Sequence, residues 1–166
     1  MNRGPKTIVG IDPGLYGAFA VIRRHGGKPP SLVRVVDAPT IDNGRGLDPV
    51  GMSELVFEYA DEDTAFYVEK QQPFHIDSRQ ACFTTGQRYG YWLAALMIAR
   101  AKYTLVQPRT WQSKFGIWNS FAKTTKQASL TLARSYFPGV DFEQKDGRSD
   151  AALIAVFGCL QWQKEE

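Results

Sequence analysis

Residues 8–22, IVGIDPGLYGAFAVI, contain the pattern that decides the fold. Residues 6–11 are mostly apolar and β-branched, and the run ends at Asp12 and a Pro-Gly pair that is typical of a turn. Residues 18–24 alternate well enough for a second strand, and GGKPP then separates them from a third apolar run at 31–38. The sequence therefore predicts three consecutive strands joined by short turns, with Asp12 directly after the first.

The remainder of the chain alternates helices with single strands. Strands are predicted at residues 64–70 and 103–108, and the turn-rich stretch at 39–49 is expected to be an exposed loop. The predicted helices cover residues 50–61, 78–102, 109–118, 123–139 and 148–162. The predicted fold class is α/β, with a five-stranded mixed sheet and helices on both faces, in a single domain spanning residues 1–166.

The long helix predicted at 78–102 contains Gly86 and Gly90, one turn apart. Glycine inside a helix costs about 1 kcal/mol relative to alanine, so the pair indicates close packing. Another helix or a nucleic-acid backbone would each fit, and the sequence leaves both open. The buried positions of this helix are expected to include Ala81, Tyr89, Leu93, Leu96 and Met97.

Composition limits the classes of protein to which the chain can belong. Apolar residues make up 43% and charged residues 22%, the balance of an ordinary globular domain. No apolar run approaches the roughly 20 residues of a membrane span, and no signal peptide is evident, so no membrane association is expected. Cys82 and Cys159 are expected to be buried thiols in a reducing cytoplasm, with a disulfide between them as the alternative. The expected source is a bacterium or a phage, and a viral or organellar origin stays open.

The formal net charge of +3 hides an uneven distribution. Residues 41–70 contain eight acids and two bases, whereas residues 100–148 contain nine bases and three acids. A basic second half suits a polyanionic partner, although a basic solvated face would give the same count. Between Arg109 and Lys126 the bases are interleaved with aromatic residues, which either stack on exposed nucleobases or belong to the core of an amphipathic helix.

Four carboxylates occupy positions from which distant parts of the chain can converge. Asp12 and Glu69 each follow an apolar run that is typical of a buried strand. Asp146 and Asp150 lie four residues apart at the start of the last predicted helix. Converging acids repel unless a proton or a cation relieves them, and hard divalent cations prefer oxygen ligands. The set predicts a Mg²⁺ site of the kind that can cleave phosphodiesters.

Each acid has an ordinary explanation when it is considered alone. Asp12 before Pro-Gly is a common turn former, and Glu69 could pair with Lys70. Asp146 could be only a loop acid or a helix cap, and Asp150 could favour the helix dipole from the first turn. The opening segment also looks like the phosphate-side loop of actin-like ATPases and sugar kinases, but those generally need a second lobe for which 166 residues leave no room. The interpretation as a metal site depends on all four acids together.

The ordered set of motifs resembles the RuvC-type Holliday junction resolvases, a family with the RNase H-like fold. IVGIDPGLYGAFAVI is similar to their opening strand, first acid and second strand, and FYVEK is similar to the strand that carries their second acid. LVQPRTWQSKFG with KTTKQASLTLARSYFP looks like their fifth strand and basic helical segment. KDGRSDAALIA resembles their closing acid-bearing helix, in the form seen in phage, bacterial and chloroplast relatives. The resemblance covers roughly residues 6–160.

The resemblance implies a site, a cofactor and a partner. The implied catalytic and metal-binding residues are Asp12, Glu69, Asp146 and Asp150. They would hold Mg²⁺, with Mn²⁺ as a substitute, in each half of a homodimer that nicks opposed strands of four-way junction DNA. In bacterial RuvC the last two acidic positions are three residues apart. Gly147 stands three before Asp150 here, which leaves open whether Asp146 is a direct ligand.

A second set of residues is expected to contact DNA. Arg148 is expected either to contact the scissile phosphate or to form a salt bridge with Asp146 or Asp150. The family carries an aromatic residue shortly after its second acid that works at the junction core, and Phe74 is the nearest candidate. The expected DNA-binding residues are Arg79, Arg109, Lys114, Lys123, Lys126, Arg148 and Phe74.

Three functions are compatible with these patterns. The first is a structure-selective endonuclease that resolves four-way junctions by metal-dependent paired nicking. The second is a broader RNase H-like nuclease that acts on branched DNA or RNA–DNA hybrids. The third is a junction-binding scaffold that does not cut, which the four acids disfavour because binding alone requires bases.

Overall fold

The computed structural model describes residues 4–14, 16–26, 28–44, 46–73, 78–118, 122–142 and 147–162. The main sheet contains β1 (Thr7–Asp12), β2 (Ala18–His25), β3 (Lys28–Asp37), β6 (Thr64–Glu69) and β7 (Tyr103–Val106). A separate hairpin consists of β4 (Thr40–Ile41) and β5 (Gly46–Leu47). The helices are α1 (Pro49–Tyr59), α2 (Arg79–Ile98), α3 (Pro108–Lys114), α4 (Ala122–Tyr136) and α5 (Gly147–Trp162).

The main sheet has the strand order β3-β2-β1-β6-β7, with the first strand of the chain at its centre. β2 is antiparallel to both β1 and β3, whereas β1, β6 and β7 are parallel. The predicted five-stranded mixed sheet is therefore confirmed. Because the three parallel strands run the same way, their carboxyl ends lie at one edge of the sheet, and Asp12 and Glu69 end two of them.

Successive side chains of the central strand enter two separate cores, one on each face of the sheet. On one face Val9 packs in a cluster with Met52 of α1 and Trp92 of α2. On the other face Ile8 packs in a cluster to which α4 and α5 contribute. Helices therefore cover both faces of the sheet, as the sequence predicted.

Helix α5 rests directly on the backbone of β1. A Cβ at Gly10 would overlap the carbonyl oxygen of Ala151 and would lie 2.5 Å from the backbone nitrogen of Ala155. Most of α5 between Gly147 and Cys159 is buried. This contact fixes the helix that carries Asp150 over the strand that ends in Asp12.

Several expectations from the sequence are wrong in detail. The stretch at 39–49, expected to be an exposed loop, contains the β4–β5 hairpin and buries Leu47. In α2, Leu96 is buried and Tyr89 and Leu93 are half-buried, but Ala81 and Met97 are exposed. Cys159 is buried and Cys82 is half-buried, and both are free thiols. Within the described ranges, no helix combines the length and the apolar character that a membrane crossing requires.

Candidate active site

Asp12 is the last residue of β1, and the turn that follows holds its side chain. The backbone N–H of Gly14 donates a 2.9 Å hydrogen bond to Asp12 Oδ1. A Cβ at Gly17 would overlap the carbonyl oxygen of Asp12, so the turn leaves no room there for a larger residue. The interpretation of Asp12 as a turn former is correct, and the same turn places its carboxylate at the edge of the sheet.

Glu69 ends β6, the strand beside β1, and both of its oxygens accept hydrogen bonds. The register pairs Ile11 with Val68, so Asp12 and Glu69 occupy the next position on each strand. The indole N–H of Trp111 donates to Glu69 Oε1 at 2.9 Å. The side-chain amide of Gln71 donates to Oε2, also at 2.9 Å. The carboxylate is thus held from two sides.

The ionisation of Glu69 is strongly perturbed. Its pKa is raised from 4.5 to about 7. Burial of the carboxyl group is the largest cause and the negative charge of Asp12 is the second, while the hydrogen bonds from Trp111 and Gln71 act in the opposite direction. Near neutral pH Glu69 therefore carries a proton for part of the time. Carboxylates whose pKa is shifted by burial and by a like charge are typical of functional sites.

Asp150 lies half-buried in the first turn of α5, and that turn packs against the segment that follows Asp12. A Cβ at Gly147 would overlap the carbonyl oxygen of Tyr16 and would lie 2.8 Å from backbone atoms of Gly17. The absence of a side chain at Gly147 therefore lets the start of α5 close over the β1–β2 turn. The start of α5 thus contacts the turn that follows Asp12, and Asp150 lies in that first turn of the helix.

The predicted phase of Asp150 agrees with its helix, since Ile154 and Phe157 are both buried. Asp146 lies outside the described residues, and its part in the site stays a prediction. Among the residues that the structure describes, no three His, Cys, Asp or Glu side chains form a group that could hold a metal ion. The metal site itself therefore also stays a prediction.

Arg148 forms a salt bridge with an acid that sequence reasoning missed. Its Nε donates to Asp37 Oδ1 at 2.7 Å, and Nη2 donates to Oδ2 at 3.0 Å. Asp37 ends β3 opposite Ala18, which in turn pairs with Asp12. This two-point ion pair ties the start of α5 to the edge of the sheet that carries the acids. A contact between Arg148 and a phosphate stays a prediction.

Helix α3 begins at the same edge, because Val106 at the end of β7 pairs with Glu69. Trp111 is fully buried, and its ring contacts that of the half-buried Phe115 at a centroid distance of 6.5 Å. These two aromatics therefore belong to the core. Trp118 is 41% exposed, and the guanidinium of Arg109 lies 5.6 Å from its ring centroid.

The bond from Trp111 to Glu69 was missed from the sequence, where Trp111 was considered only as a base-stacking or core residue. One general signal was available, because a buried indole N–H usually requires an acceptor. Nothing in the sequence indicated which acceptor it would find, since the two residues are 42 positions apart.

The other expected DNA contacts are distributed over three helices. Arg79, Lys114 and Lys126 are exposed, in α2, α3 and α4 respectively. Lys123 belongs to α4, but its side chain lies outside what the structure describes, and so does the whole of Phe74. Exposure is compatible with a binding surface, and contact with DNA stays a prediction for each of these residues.

Comparisons with known proteins agree with the fold. No protein-family model matches the sequence, and no curated protein matches it. Thermus thermophilus RuvC in complex with a Holliday junction substrate has a TM-score of 0.70 at 17% identity, over 95% of this chain and 96% of that one. A further Thermus thermophilus RuvC structure has a TM-score of 0.69 at 18% identity, over 96% of each chain.

The mitochondrial Holliday junction resolvase of yeast has a TM-score of 0.61 at 18% identity, over 98% of this chain and 81% of that one. The chain therefore has the RuvC-type, RNase H-like fold that the sequence motifs predicted.

Proposed function

We propose that this protein is a metal-dependent endonuclease that resolves four-way DNA junctions. The observation that carries the proposal is the pair of acids at neighbouring strand ends, Asp12 and Glu69, with the pKa of Glu69 raised by burial and by the charge of Asp12. The fold is shared with a RuvC whose structure contains a Holliday junction substrate. An acid pair built into that fold supports cleavage rather than binding alone.

The donor chemistry at this edge suits a divalent cation, and the described acids alone do not form a complete group for one. Asp12, Glu69 and Asp150 supply oxygen donors, with Asp146 as the further candidate, and such donors suit Mg²⁺ and Mn²⁺. Burial and the charge of Asp12 disfavour the ionised form of Glu69, and a bound cation would offset both effects. When bound, such an ion activates water as a nucleophile and stabilises the leaving oxygen of the phosphodiester. The protein orients the ligands, through the bonds to Glu69 and through the packing of α5.

The DNA surface that we propose surrounds this edge. Arg109 and Lys114 belong to α3, which starts where Glu69 ends, so both lie on the element next to the acids. Arg79 begins α2, and Lys126 lies on α4. Lysine and arginine side chains neutralise phosphates, so this distribution suits a DNA backbone that reaches the acids. Lys123 completes the set because it lies in the basic stretch from Arg109 to Lys126, Arg148 because it lies between the last two acids, and Phe74 because of the family resemblance.

We also propose a homodimer, and α2 supplies its interface. The face in question consists of Phe83, Gly86, Gly90, Ala94 and Met97, which lie on one side of the helix at the spacing of consecutive turns. Phe83 is 67% exposed and Met97 58% exposed, and a Cβ at either glycine would have no atom within 4 Å. Small residues between two large apolar ones let a second copy of the helix approach closely. Two copies also provide the two sites that paired nicking needs.

A pair of variants tests the interface. Gly90→Lys places a charged side chain on this face, whereas Ala81→Lys places the same side chain on an exposed position that points the other way. Light scattering after size exclusion should report a dimer for the wild type and for Ala81→Lys, and a monomer for Gly90→Lys. A wild-type monomer, or a dimer that survives Gly90→Lys, would contradict the proposed face.

Substrate competition tests the function itself. A labelled four-way junction, a linear duplex and an RNA–DNA hybrid of matched sequence would be incubated with the wild-type protein in Mg²⁺ or in EDTA. Paired, symmetric nicks in the junction that require Mg²⁺ are expected. Equal cleavage of the duplex or the hybrid would support the broader nuclease. Tight junction binding without nicks in Mg²⁺ or Mn²⁺ would support the non-cleaving scaffold.

A further inference from the structure

The hydrogen bond from Trp111 to Glu69 joins a fully buried residue to an acid of the proposed site. Trp111 has no exposed surface, and its Nε1 lies 2.9 Å from Glu69 Oε1. The residue belongs to α3, which begins at the strand end that pairs with Glu69. The donor therefore comes from the core of the protein. Gln71, the donor to the other oxygen, is half-buried and has exposed residues on both sides of it in the chain.

A buried indole is a rigid hydrogen-bond donor. Its ring is confined here by the core cluster and by the edge-to-face contact with Phe115. An indole has one polar hydrogen and accepts nothing, so the bond to Glu69 has a single direction. A carboxylate oxygen has two lone pairs, so Oε1 can accept from Trp111 and still offer a lone pair to a cation. The indole can therefore hold the carboxylate in place and leave its other lone pairs available to a cation.

The charge of Asp12 explains why a fixed hydrogen bond to Glu69 is useful. The negative charge of Asp12 acts against the ionised form of Glu69, and it would favour side-chain rotamers that take the carboxylate away. A flexible glutamate beside a like charge would have to be reoriented each time a cation arrived. A donor fixed in the core reduces the free-energy cost of this reorientation, because the Glu69 carboxylate is already oriented before the cation binds.

We propose that Trp111 is the positioning residue of the site, which sets the orientation in which Glu69 meets a divalent cation. The inference rests on the proposed function for the identity of the ligand. It concerns a residue that does not itself touch the metal or the DNA. A positioning role predicts that the loss of the indole N–H weakens cation binding while the fold and the affinity for DNA remain.

The chain contains a matched control for this role. Trp92 is also fully buried, in the core on the opposite face of the sheet, and its Nε1 has no hydrogen-bond partner among the described residues. Trp111→Phe and Trp92→Phe each replace a buried indole with a smaller aromatic ring. Only the first removes a donor to Glu69, so the difference between the two variants isolates the hydrogen bond from the loss of ring volume.

Electron paramagnetic resonance would measure binding directly, from the loss of the signal of hydrated Mn²⁺ on titration with protein. Partners that orient a metal ligand typically contribute about 10- to 100-fold to affinity, so Trp111→Phe is expected to weaken Mn²⁺ binding by at least about tenfold. Trp92→Phe is expected to bind Mn²⁺ as the wild type does. Wild-type affinity in Trp111→Phe, or an equal loss in both variants, would overturn the proposal.

A measurement on the wild type covers the case in which Trp111→Phe does not fold. The protein contains four tryptophans, whose indole N–H groups should give four signals in a ¹H–¹⁵N spectrum. The variants Trp92→Phe, Trp118→Phe and Trp162→Phe would assign the signal of Trp111 by elimination. Titration with Mg²⁺ should shift the Trp111 signal and leave that of Trp92 in place. An unchanged Trp111 signal at saturating Mg²⁺ would overturn the proposal.

Failure of the positioning role is distinguishable from failure of the proposed function. Both measurements detect cation binding without any substrate, so neither depends on cleavage. A wild-type protein that nicks junctions while Trp111→Phe binds Mn²⁺ normally would refute only the positioning role. A wild-type protein that does not nick junctions but shows the tenfold difference would refute only the function.

Discussion

Glu69→Gln should make the metal-free protein more stable at neutral and alkaline pH. The folded-state pKa of Glu69 is raised from 4.5 to about 7, so the folded protein binds more protons than the unfolded chain between these values. Stability therefore falls as the pH rises from about 4.5 to about 7, and it stays lower above that window. A shift of this size corresponds to roughly 3 kcal/mol above pH 7 and to less than about 1 kcal/mol at pH 5.

The amide of Gln cannot ionise, and its oxygen can still accept the hydrogen bond from Trp111. The variant should therefore recover most of the roughly 3 kcal/mol at about pH 8 and little of it at about pH 5. Urea unfolding in EDTA at the two pH values measures the difference. With a slope of about 2 kcal/mol per molar, the midpoint of the variant should exceed that of the wild type by about 1.5 M at the higher pH. An equal difference at both pH values would refute the electrostatic reasoning.

Three further predictions concern the fold and the DNA surface. Gly10→Ala should lower the free energy of unfolding by about 3 kcal/mol, because the new methyl group would overlap the backbone of α5. Gly26→Ala is the control, since a Cβ there has no atom within 4 Å, and it should have little effect in thermal unfolding. Asp37→Asn should lower the free energy of unfolding by about 1 kcal/mol, because solvent screens an ion pair whose Asp37 side chain is 39% exposed. A loss no larger than that of an exposed Asp→Asn control would contradict this prediction. Arg109→Ala should reduce the slope of log affinity for junction DNA against log salt concentration by about one, and an unchanged slope would remove Arg109 from the DNA surface.

The strands of the main sheet could be predicted because their apolar residues follow the period of a strand and their ends carry turn-forming residues. The run before Asp12 and the run before Glu69 both gave strands within one residue of the expected ends. The β4–β5 hairpin was missed because each of its strands has only two residues, too short for any period to be evident.

The burial of α2 was only partly predictable. Apolar spacing identified the helix and the buried Leu96, but it also assigned Met97 to the core, although Met97 is 58% exposed. Apolar periodicity marks a face that something covers, and it does not distinguish the protein's own sheet from a second molecule. The exposed face of α2 is one that the isolated chain leaves uncovered, which is why it enters the proposed dimer.

The positions of Asp12, Glu69 and Asp150 in the secondary structure were predictable, whereas the partners of Glu69 and of Arg148 were not; the four acids as one site stay a prediction. Strand ends and a helix start identify Asp12, Glu69 and Asp150 from local pattern alone. The partners of the site come from distant segments: Trp111 is 42 residues from Glu69, and Arg148 is 111 residues from Asp37. Such pairs depend on the register of the sheet and on the way α3 and α5 return to its edge, and no local pattern in one sequence encodes them.

Single-turnover cleavage by Asp150→Asn tests most directly whether these carboxylates form a metal-dependent nuclease site. The assay would use a four-way junction with labelled arms in Mg²⁺, with junction affinity measured in parallel, and with the exposed Asp63→Asn as the matched control. Since even the partners of metal ligands contribute about 10- to 100-fold, loss of a ligand should slow paired nicking by more than about 100-fold at unchanged affinity. Paired nicking by Asp150→Asn at the rate of the wild type and of Asp63→Asn would contradict the account.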